Sequence, residues 1–214
     1  MEKVGRWGNS GYIASQFIPS RTLNGFMDAL AILNYFYPED TPLRRLLLKH
    51  SMQVRDKALE ILRLPGNEGL GINRRLVEDG ALLHDIGIGH CHAPSILCEG
   101  TEHYLRHGLI GAQMLREYGE KHGIDLESHA RICERHTGAG LSCREIIAQG
   151  LPLPQQDFLP ETFEEKLVCL ADKFFSKSGD MQEKPLERVR HSLDKFGEQT
   201  VLRLQDLIRF FHLA

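Results

Sequence analysis

Histidine and aspartate side chains occupy the apolar faces of several helical segments, where ionisable groups are uncommon. The clearest case is the stretch ALLHDIGIGHCH at residues 81–92, in which His84 and Asp85 end an apolar helix face. A buried carboxylate is unfavourable unless it is paired with a cation or coordinates a metal ion. This stretch therefore predicts either a buried ion pair or a metal site.

The same pattern recurs in five helical segments. A single histidine on an apolar face is more often a core residue with hydrogen-bonded neighbours. Repetition favours a shared centre, because the basic residues nearest in sequence, Arg44, Arg45 and Lys173, are expected to lie off the relevant faces. The candidate ligands are His50, His84, Asp85, His107, His136 and Asp172.

The types of these side chains restrict the metal. Imidazole nitrogen and carboxylate oxygen together suit Fe, Mn, Ni or Co, and also Zn, but not the all-oxygen shell of calcium. Six ligands exceed one tetrahedral site. They fit two octahedral divalent ions that share a bridging carboxylate and keep open positions for water and substrate.

The elements that position these residues are predicted to be helices. Helical periodicity recurs along the chain and strand-type alternation is nearly missing, which indicates an all-α bundle. The predicted helices span about 23–36, 43–63, 73–86, 102–121, 125–136, 142–149, 162–177 and 185–212. Ser142 with Glu145 and Thr162 with Glu165 fit capping boxes at two of the helix starts, and Pro185 suits the first turn of the last helix.

Composition sets the broad class of the protein. The 214 residues, with a net charge of -3 and 42% hydrophobic residues, predict one globular domain over 39–214 and a short N-terminal helical appendage over 1–38. The apolar stripe of the appendage helix suits either a homodimer interface or a cap on the core. The proline-rich loop at 150–161 is expected to join two helices within one domain.

The chain is also expected to be a reduced cytoplasmic protein. It contains no apolar stretch of membrane-spanning length, and its first residues lack the apolar region of a secretory signal. Five cysteines without a C-x-x-C pair indicate free thiols rather than disulfides or a zinc ribbon. The balanced charge does not indicate a dedicated nucleic-acid surface.

With these motifs in view, the chain resembles the HD-domain metal-dependent phosphohydrolases, in the variant with a His-Asp-Ile-Gly motif. The resemblance covers roughly residues 43–176. It implies an HD-domain helical bundle in which one metal is held by His50, His84, Asp85 and Asp172, a second is held by His107 and His136, and Asp85 bridges them. It further implies hydrolysis of phosphate esters or anhydrides, usually in nucleotides, by a metal-bridging hydroxide.

One departure from the family pattern concerns the leaving group. Several relatives carry a lysine after the central motif that is thought to assist it, and that position is Ile88 here. Either His90 or His92 then acts as the catalytic acid, or the leaving group needs less help; a solvated loop position is the alternative for both histidines.

Four further residues are candidates for substrate binding. The stretch RHTGAGLS at 135–142 contains the predicted ligand His136 and leads into a capped helix. Gly138 and Gly140 could therefore present backbone N–H groups to a phosphate. A plain glycine C-cap is the competing interpretation. Arg135 and Lys173, each adjacent to a predicted ligand, are the candidate side chains for phosphate contact, with solvated surface positions as the alternative.

Two other functions stay open. A minority of proteins with this fold and ligand set use a di-iron centre to activate oxygen and oxidise a C–H bond, and activity with a redox-inert metal would separate hydrolysis from that chemistry. A non-catalytic nucleotide-sensing module is the third hypothesis, disfavoured because all the ligands are present. The sequence predicts a phosphorylated small-molecule substrate without identifying it.

Overall fold

The computed structural model describes residues 27–213, which form a helical bundle, so the all-α prediction is confirmed. A short antiparallel hairpin, β1 (His92–Ala93) with β2 (Cys98–Glu99), pairs His92 with Glu99. Within the described range the helices are α1 (Ala29–Phe36), α2 (Pro42–Leu62), α3 (Arg74–Leu83), α4 (His107–His122), α5 (Glu127–Arg135), α6 (Cys143–Ala148), α7 (Phe163–Asp172), α8 (Leu186–Arg190) and α9 (Glu198–Phe210).

Local sequence explains where several of these helices begin. The Thr41 side chain caps α2 and Asn73 caps α3, each by accepting a hydrogen bond from a backbone N–H of the first turn. The capping boxes predicted at Ser142 and Thr162 are both formed, with each hydroxyl and the glutamate three residues later exchanging hydrogen bonds with the backbone. These caps fix the starts of α6 and α7.

Four predicted helices differ from the observed ones. In the described range, the helix predicted over 23–36 begins only at Ala29, after its N-cap Asp28. The helix predicted over 102–121 begins only at His107, after a 3₁₀ turn at Tyr104–Arg106. The helix predicted over 162–177 ends at Asp172. The one predicted over 185–212 divides into α8 and α9, which are separated by a 3₁₀ turn at Asp194–Phe196 and by Gly197, whose φ of +101° is not helical.

The apolar core consists of two clusters that meet at the ionisable residues. On α2, His50 stands between Leu47, which belongs to one cluster, and Val54, which belongs to the other. The second cluster includes Ile32 and Leu33 of α1, so in the described part of the appendage this stripe caps the core. The boundary at residue 38 and the homodimer stay predictions, and residues 1–26 lie outside the described range.

The loop at 150–161 packs against the segment that precedes α6. Phe158 is buried, and its backbone pairs with that of Leu141 through two hydrogen bonds. This agrees with a loop inside one domain. Among the helices of residues 27–213, none has the length and apolar character needed to cross a membrane.

Candidate metal centre

The six predicted ligands converge in the interior of the bundle, although they come from five separate parts of the chain. All are at most 8% exposed. Their ligand atoms form two groups, each with mutual distances within 4.8 Å, and Asp85 belongs to both. The first group is His50, His84, Asp85 and Asp172, and the second is Asp85, His107 and His136. These are the two sets that the family resemblance implies.

Backbone carbonyls orient three of the four imidazoles. In each, Nδ1 lies beside the carbonyl oxygen three residues earlier: His84 to Ala81 at 2.7 Å, His107 to Tyr104 at 2.6 Å and His136 to Cys133 at 2.8 Å. A carbonyl can only accept a hydrogen bond, so Nδ1 carries a proton in each of these rings, and Nε2 is the nitrogen available to bind a metal. All three Nε2 atoms face Asp85.

The two oxygens of Asp85 face different histidines. Oδ2 lies 3.1 Å from Nε2 of His84 and 3.3 Å from Nε2 of His50. Oδ1 lies 3.3 Å from Nε2 of His107 and 3.4 Å from Nε2 of His136. Asp172 completes the first group, with its Oδ1 2.9 Å from Nε2 of His50. This is the arrangement expected of a carboxylate that joins two ligand sets.

Two glycines allow the backbones that carry these ligands to approach each other. A Cβ at Gly87 would lie 2.2 Å from the carbonyl oxygen of His107 and 2.5 Å from the backbone nitrogen of Gly111. A Cβ at Gly108 would lie 2.3 Å from the carbonyl oxygen of Cys133. The glycine of the His-Asp-Ile-Gly motif is therefore required by the close contact between the motif and the start of α4.

Two lysines reach the buried carboxylates. Nζ of Lys177 lies 2.6 Å from Oδ2 of Asp85, and Nζ of Lys173 lies 2.7 Å from Oδ2 of Asp172. The expectation that Lys173 lies off the relevant face is therefore wrong. The sequence analysis did not select Lys177, because in a helix continuing to residue 177 this side chain would point about 140° away from Asp172. The end of α7 at Asp172 brings it back to the site.

The local charges set the protonation states. Burial alone would raise the pKa of Asp85, but His84 and Lys177 hold it well below its usual range. Burial also opposes protonation of His84, yet Asp85 and Asp172 outweigh it and raise the His84 pKa to about 9. For His107, burial and the neighbouring His136 lower the pKa to about 3. The second group thus offers a neutral imidazole and an ionised carboxylate, the forms that bind metals.

The ligand atoms fit a divalent transition metal, and the reason is not the burial of the carboxylates. Because Lys173 and Lys177 neutralise the carboxylates, burial alone does not demand a metal. However, Nε2 of His84 and Oδ1 of Asp85 are buried without a well-formed hydrogen bond among the described residues, although polar atoms surround them. Such atoms point toward common centres, as metal ligands do.

A cleft of about 530 Å³ opens beside Asp172. The segment that follows α7 forms one wall, and Phe196 stands at the rim with 45% of its surface exposed. The residues that line the cleft include Tyr104, Asp172, Lys173, Lys177, Lys184 and Phe196. Sequence patterns do not indicate that Tyr104, Lys184 and Phe196 share a cleft, since each lies in a turn or loop of the structure outside the α-helices.

The structure places the two predicted acids, His90 and His92, and the predicted phosphate-binding residue Arg135 in different environments. His90 and His92 are exposed, and neither lines the cleft. Arg135 donates a hydrogen bond to the carbonyl of Leu159. The catalytic role of His90 and His92 and the phosphate-binding role of Arg135, Gly138 and Gly140 stay predictions.

The two glycines predicted to bind phosphate lie in the turn after His136, both with positive φ. The Gly140 N–H donates to the carbonyl of Thr137, and the Gly140 carbonyl accepts a hydrogen bond from Arg203. The Gly140 amide is thus engaged within the turn. Lys173, by contrast, lines the cleft.

Comparisons with known proteins agree with this geometry. A family model described as HD domain matches residues 47–176, the range that contains all six predicted ligands. An uncharacterized protein of Methanocaldococcus jannaschii is 37% identical over 147 residues, which make up 69% of this chain and 73% of that protein.

Two further similarities are more limited. A tRNA (cytidine(56)-2'-O)-methyltransferase of Picrophilus torridus is 43% identical over 104 residues, 49% of this chain, and the match spans only 25% of that protein. The crystal structure of the HD domain of the L. monocytogenes phosphodiesterase PgpH has a TM-score of 0.44 and 15% identity, covering 88% of this chain and 97% of that one.

Proposed function

The chain belongs to the HD domain family, and from this premise we propose that it is a metal-dependent hydrolase of phosphate ester or anhydride bonds. The substrate is a nucleotide or a related phosphorylated metabolite. Two divalent ions, of Fe, Mn, Ni, Co or Zn, are held by the two ligand groups that meet at Asp85.

The observation that supports this proposal most strongly is the orientation of Asp85. One carboxylate oxygen faces His50 and His84, and the other faces His107 and His136. A buried carboxylate with an imidazole pair at each oxygen is suited to bridge two cations. When bound, such ions supply a hydroxide nucleophile at neutral pH and neutralise charge on the phosphoryl oxygens.

The residues of the chain supply position and charge. The carbonyls behind His84, His107 and His136 keep each Nε2 directed inward. Lys173 and Lys177 place ammonium groups at the boundary between the ligands and the cleft, where a phosphate would enter. If the leaving group is an alkoxide, which requires a proton, His90 or His92 is the proposed acid; a leaving group that needs less help requires neither.

A substrate screen under anaerobic conditions tests the proposal. Protein loaded with Mn²⁺ or with Fe²⁺ is incubated with phosphorylated metabolites, and the cleavage products are separated and identified by chromatography. We expect hydrolysis with both metals, since the reaction needs no redox change. Turnover that requires Fe²⁺ together with oxygen, or no cleavage of any compound, would contradict it.

A matched pair of variants connects activity to the site. Asp85→Asn should abolish hydrolysis and most metal binding, because the shared carboxylate is lost. Asp79→Asn is the control, since Asp79 is a buried aspartate on α3 that pairs with Arg75 outside the cluster. Near wild-type turnover in Asp85→Asn would be incompatible with a bridging role.

A further inference from the structure

We propose that the cleft contains a second phosphate-binding subsite built by Lys184 together with Lys173 and Lys177, and that the substrate is a phosphoanhydride rather than a simple monoester. The inference rests on the proposed hydrolytic function and narrows its substrate class. The three lysines line the same cleft as Asp172.

Lys184 is the residue that points to an anion. Its Nζ donates to the carbonyl of Lys173 at 2.8 Å and to that of Phe175 at 3.2 Å. An ammonium group has three N–H donors, so two are used by these carbonyls and one is left for the cleft. Within residues 27–213, no carboxylate lies at ion-pair distance from Lys184, although the side chain is half-buried.

The neighbouring charges make this position costly without a ligand. Lys173, Lys177 and Arg188 surround Lys184 with positive charge, and burial and these cations together outweigh the attraction of Asp172, so its pKa is lowered. The carboxylates of Asp85 and Asp172 are already matched by Lys177 and Lys173. The ammonium of Lys184 therefore adds a positive charge that a bound anion would neutralise.

The backbone contacts hold this charge against the segment that directly follows Asp172. The two carbonyls that hold Nζ of Lys184 belong to residues one and three positions after Asp172, a predicted metal ligand. A phosphate monoester carries about two negative charges at neutral pH, and the metal ligands and adjacent lysines suffice for it. A further phosphate, bound at Lys184, accounts for the extra cation.

This substrate class also explains the departure at Ile88. In hydrolysis of the anhydride, one oxygen–phosphorus bond forms to water and the bond from the same phosphorus to the bridging oxygen breaks. The bridging oxygen leaves with its electron pair on the phosphate held by the lysines, and the water proton passes to solvent. A phosphate leaving group is stabilised by cations and does not need a side-chain acid, in agreement with the positions of His90 and His92 outside the cleft.

Binding of non-hydrolysable probes to the metal-loaded protein tests the subsite without relying on turnover. Isothermal titration calorimetry compares methylenediphosphonate with methylphosphonate. We expect wild type to bind the diphosphonate at least about ten-fold more tightly, the effect of one charge-assisted contact. Lys184→Met should remove about that factor for the diphosphonate and leave methylphosphonate binding nearly unchanged, whereas Lys184→Arg should keep the preference.

Controls separate the subsite from other effects. The diphosphonate could also bind more tightly because it chelates the metal ions. Chelation does not depend on Lys184, so it cannot produce a difference in affinity between Lys184→Met and wild type. Lys121→Met, which removes an exposed lysine of α4 outside the cleft, should change neither affinity. Equal affinities of wild type for the two probes, or a Lys184→Met loss that is equal for both or zero for both, would overturn the proposal. The hydrolase assignment fails separately, if no phosphorylated compound is cleaved.

Discussion

At the scale of single residues, the site combines ligands that suit a metal with lysines that compensate for its charge. Lys177 is the most informative of these, because its ammonium contacts Asp85 at 2.6 Å and lies within 4.0 Å of Asp172. A buried carboxylate needs a cation, and in the metal-free site this lysine provides one. The same carboxylates would be neutralised by metal ions when these bind.

Lys177→Met should therefore destabilise the metal-free protein more than the metal-loaded protein. Removing one partner of a buried ion pair costs about 3–5 kcal/mol, because the other charge is left uncompensated. Urea unfolding with and without a chelator measures the two free energies. We expect a loss of this order after chelation and a much smaller loss with metal present, with Lys177→Arg as the charge-conserving control. Equal losses in both states would contradict the idea that bound metal ions replace Lys177 as the counter-ion of Asp85.

At the scale of elements, the ligands are brought together by backbones in direct contact. The motif that follows α3 packs against the start of α4 at Gly87, and α4 packs against the end of α5 at Gly108. These two contacts align His84, His107 and His136 around Asp85. The glycines thus act on the second ligand group through the separation of the helices.

Gly87→Ala should weaken the second metal site more than the first. The added methyl group meets backbone atoms of α4 that cannot rotate away, so α4 must shift and carry His107 with it. We expect a stability loss of about 1–3 kcal/mol and a reduced content of bound metal, measured by denaturant unfolding and elemental analysis. Gly69→Ala is the control, since nothing lies within 4 Å of a Cβ there. An unchanged metal content in Gly87→Ala would show that this contact does not position His107.

Sequence patterns predicted the ligands better than the cleft, for a physical reason. A buried ligand such as His50 interrupts an apolar helix face, so its periodicity is visible, and all six predicted ligands do converge. Lys177 and Lys184 lie beyond the end of α7, where the path of the chain depends on tertiary contacts such as the bond from the Lys184 backbone to the Phe174 carbonyl. No helical repeat indicates such a path.

At the scale of the whole molecule, the C-terminal helices complete the bundle beyond the range matched by the family model. Leu204 and Phe211 of the C-terminal region are fully buried in the core. Arg203 of α9 donates hydrogen bonds to the carbonyls of Ala139 and Gly140 and pairs with Glu145 at 2.8 Å. The last helix thereby holds the turn that follows the predicted ligand His136.

The contact between Glu145 and α9 should make stability depend on pH in the acid range. Burial alone would raise the Glu145 pKa, but Arg203, Ser142 and Thr200 lower it to about 2, from an ordinary value of 4.5. The folded state therefore binds this proton less readily than the unfolded state, and the stabilisation present above about pH 4.5 is lost as the pH falls toward 2.

Thermal melts between pH 7 and pH 2 compare wild type with Glu145→Gln. We expect the variant to melt a few degrees lower near neutral pH and the difference to shrink as the pH falls through the acid range. A difference that is constant across this range would mean that the charge of Glu145 does not contribute.

We propose that this bundle holds two metal ions joined by Asp85, and the number of ions per chain tests that assignment most directly. Elemental analysis of purified wild type should find about two ions per chain, and His107→Ala and His136→Ala should each retain about one, because the group of His50, His84, Asp85 and Asp172 is left intact. His191→Ala, which removes an exposed histidine outside the cluster, should retain two. If wild type binds one ion, and the His107 and His136 variants bind as much, the two histidines are not metal ligands and the two-metal assignment is wrong.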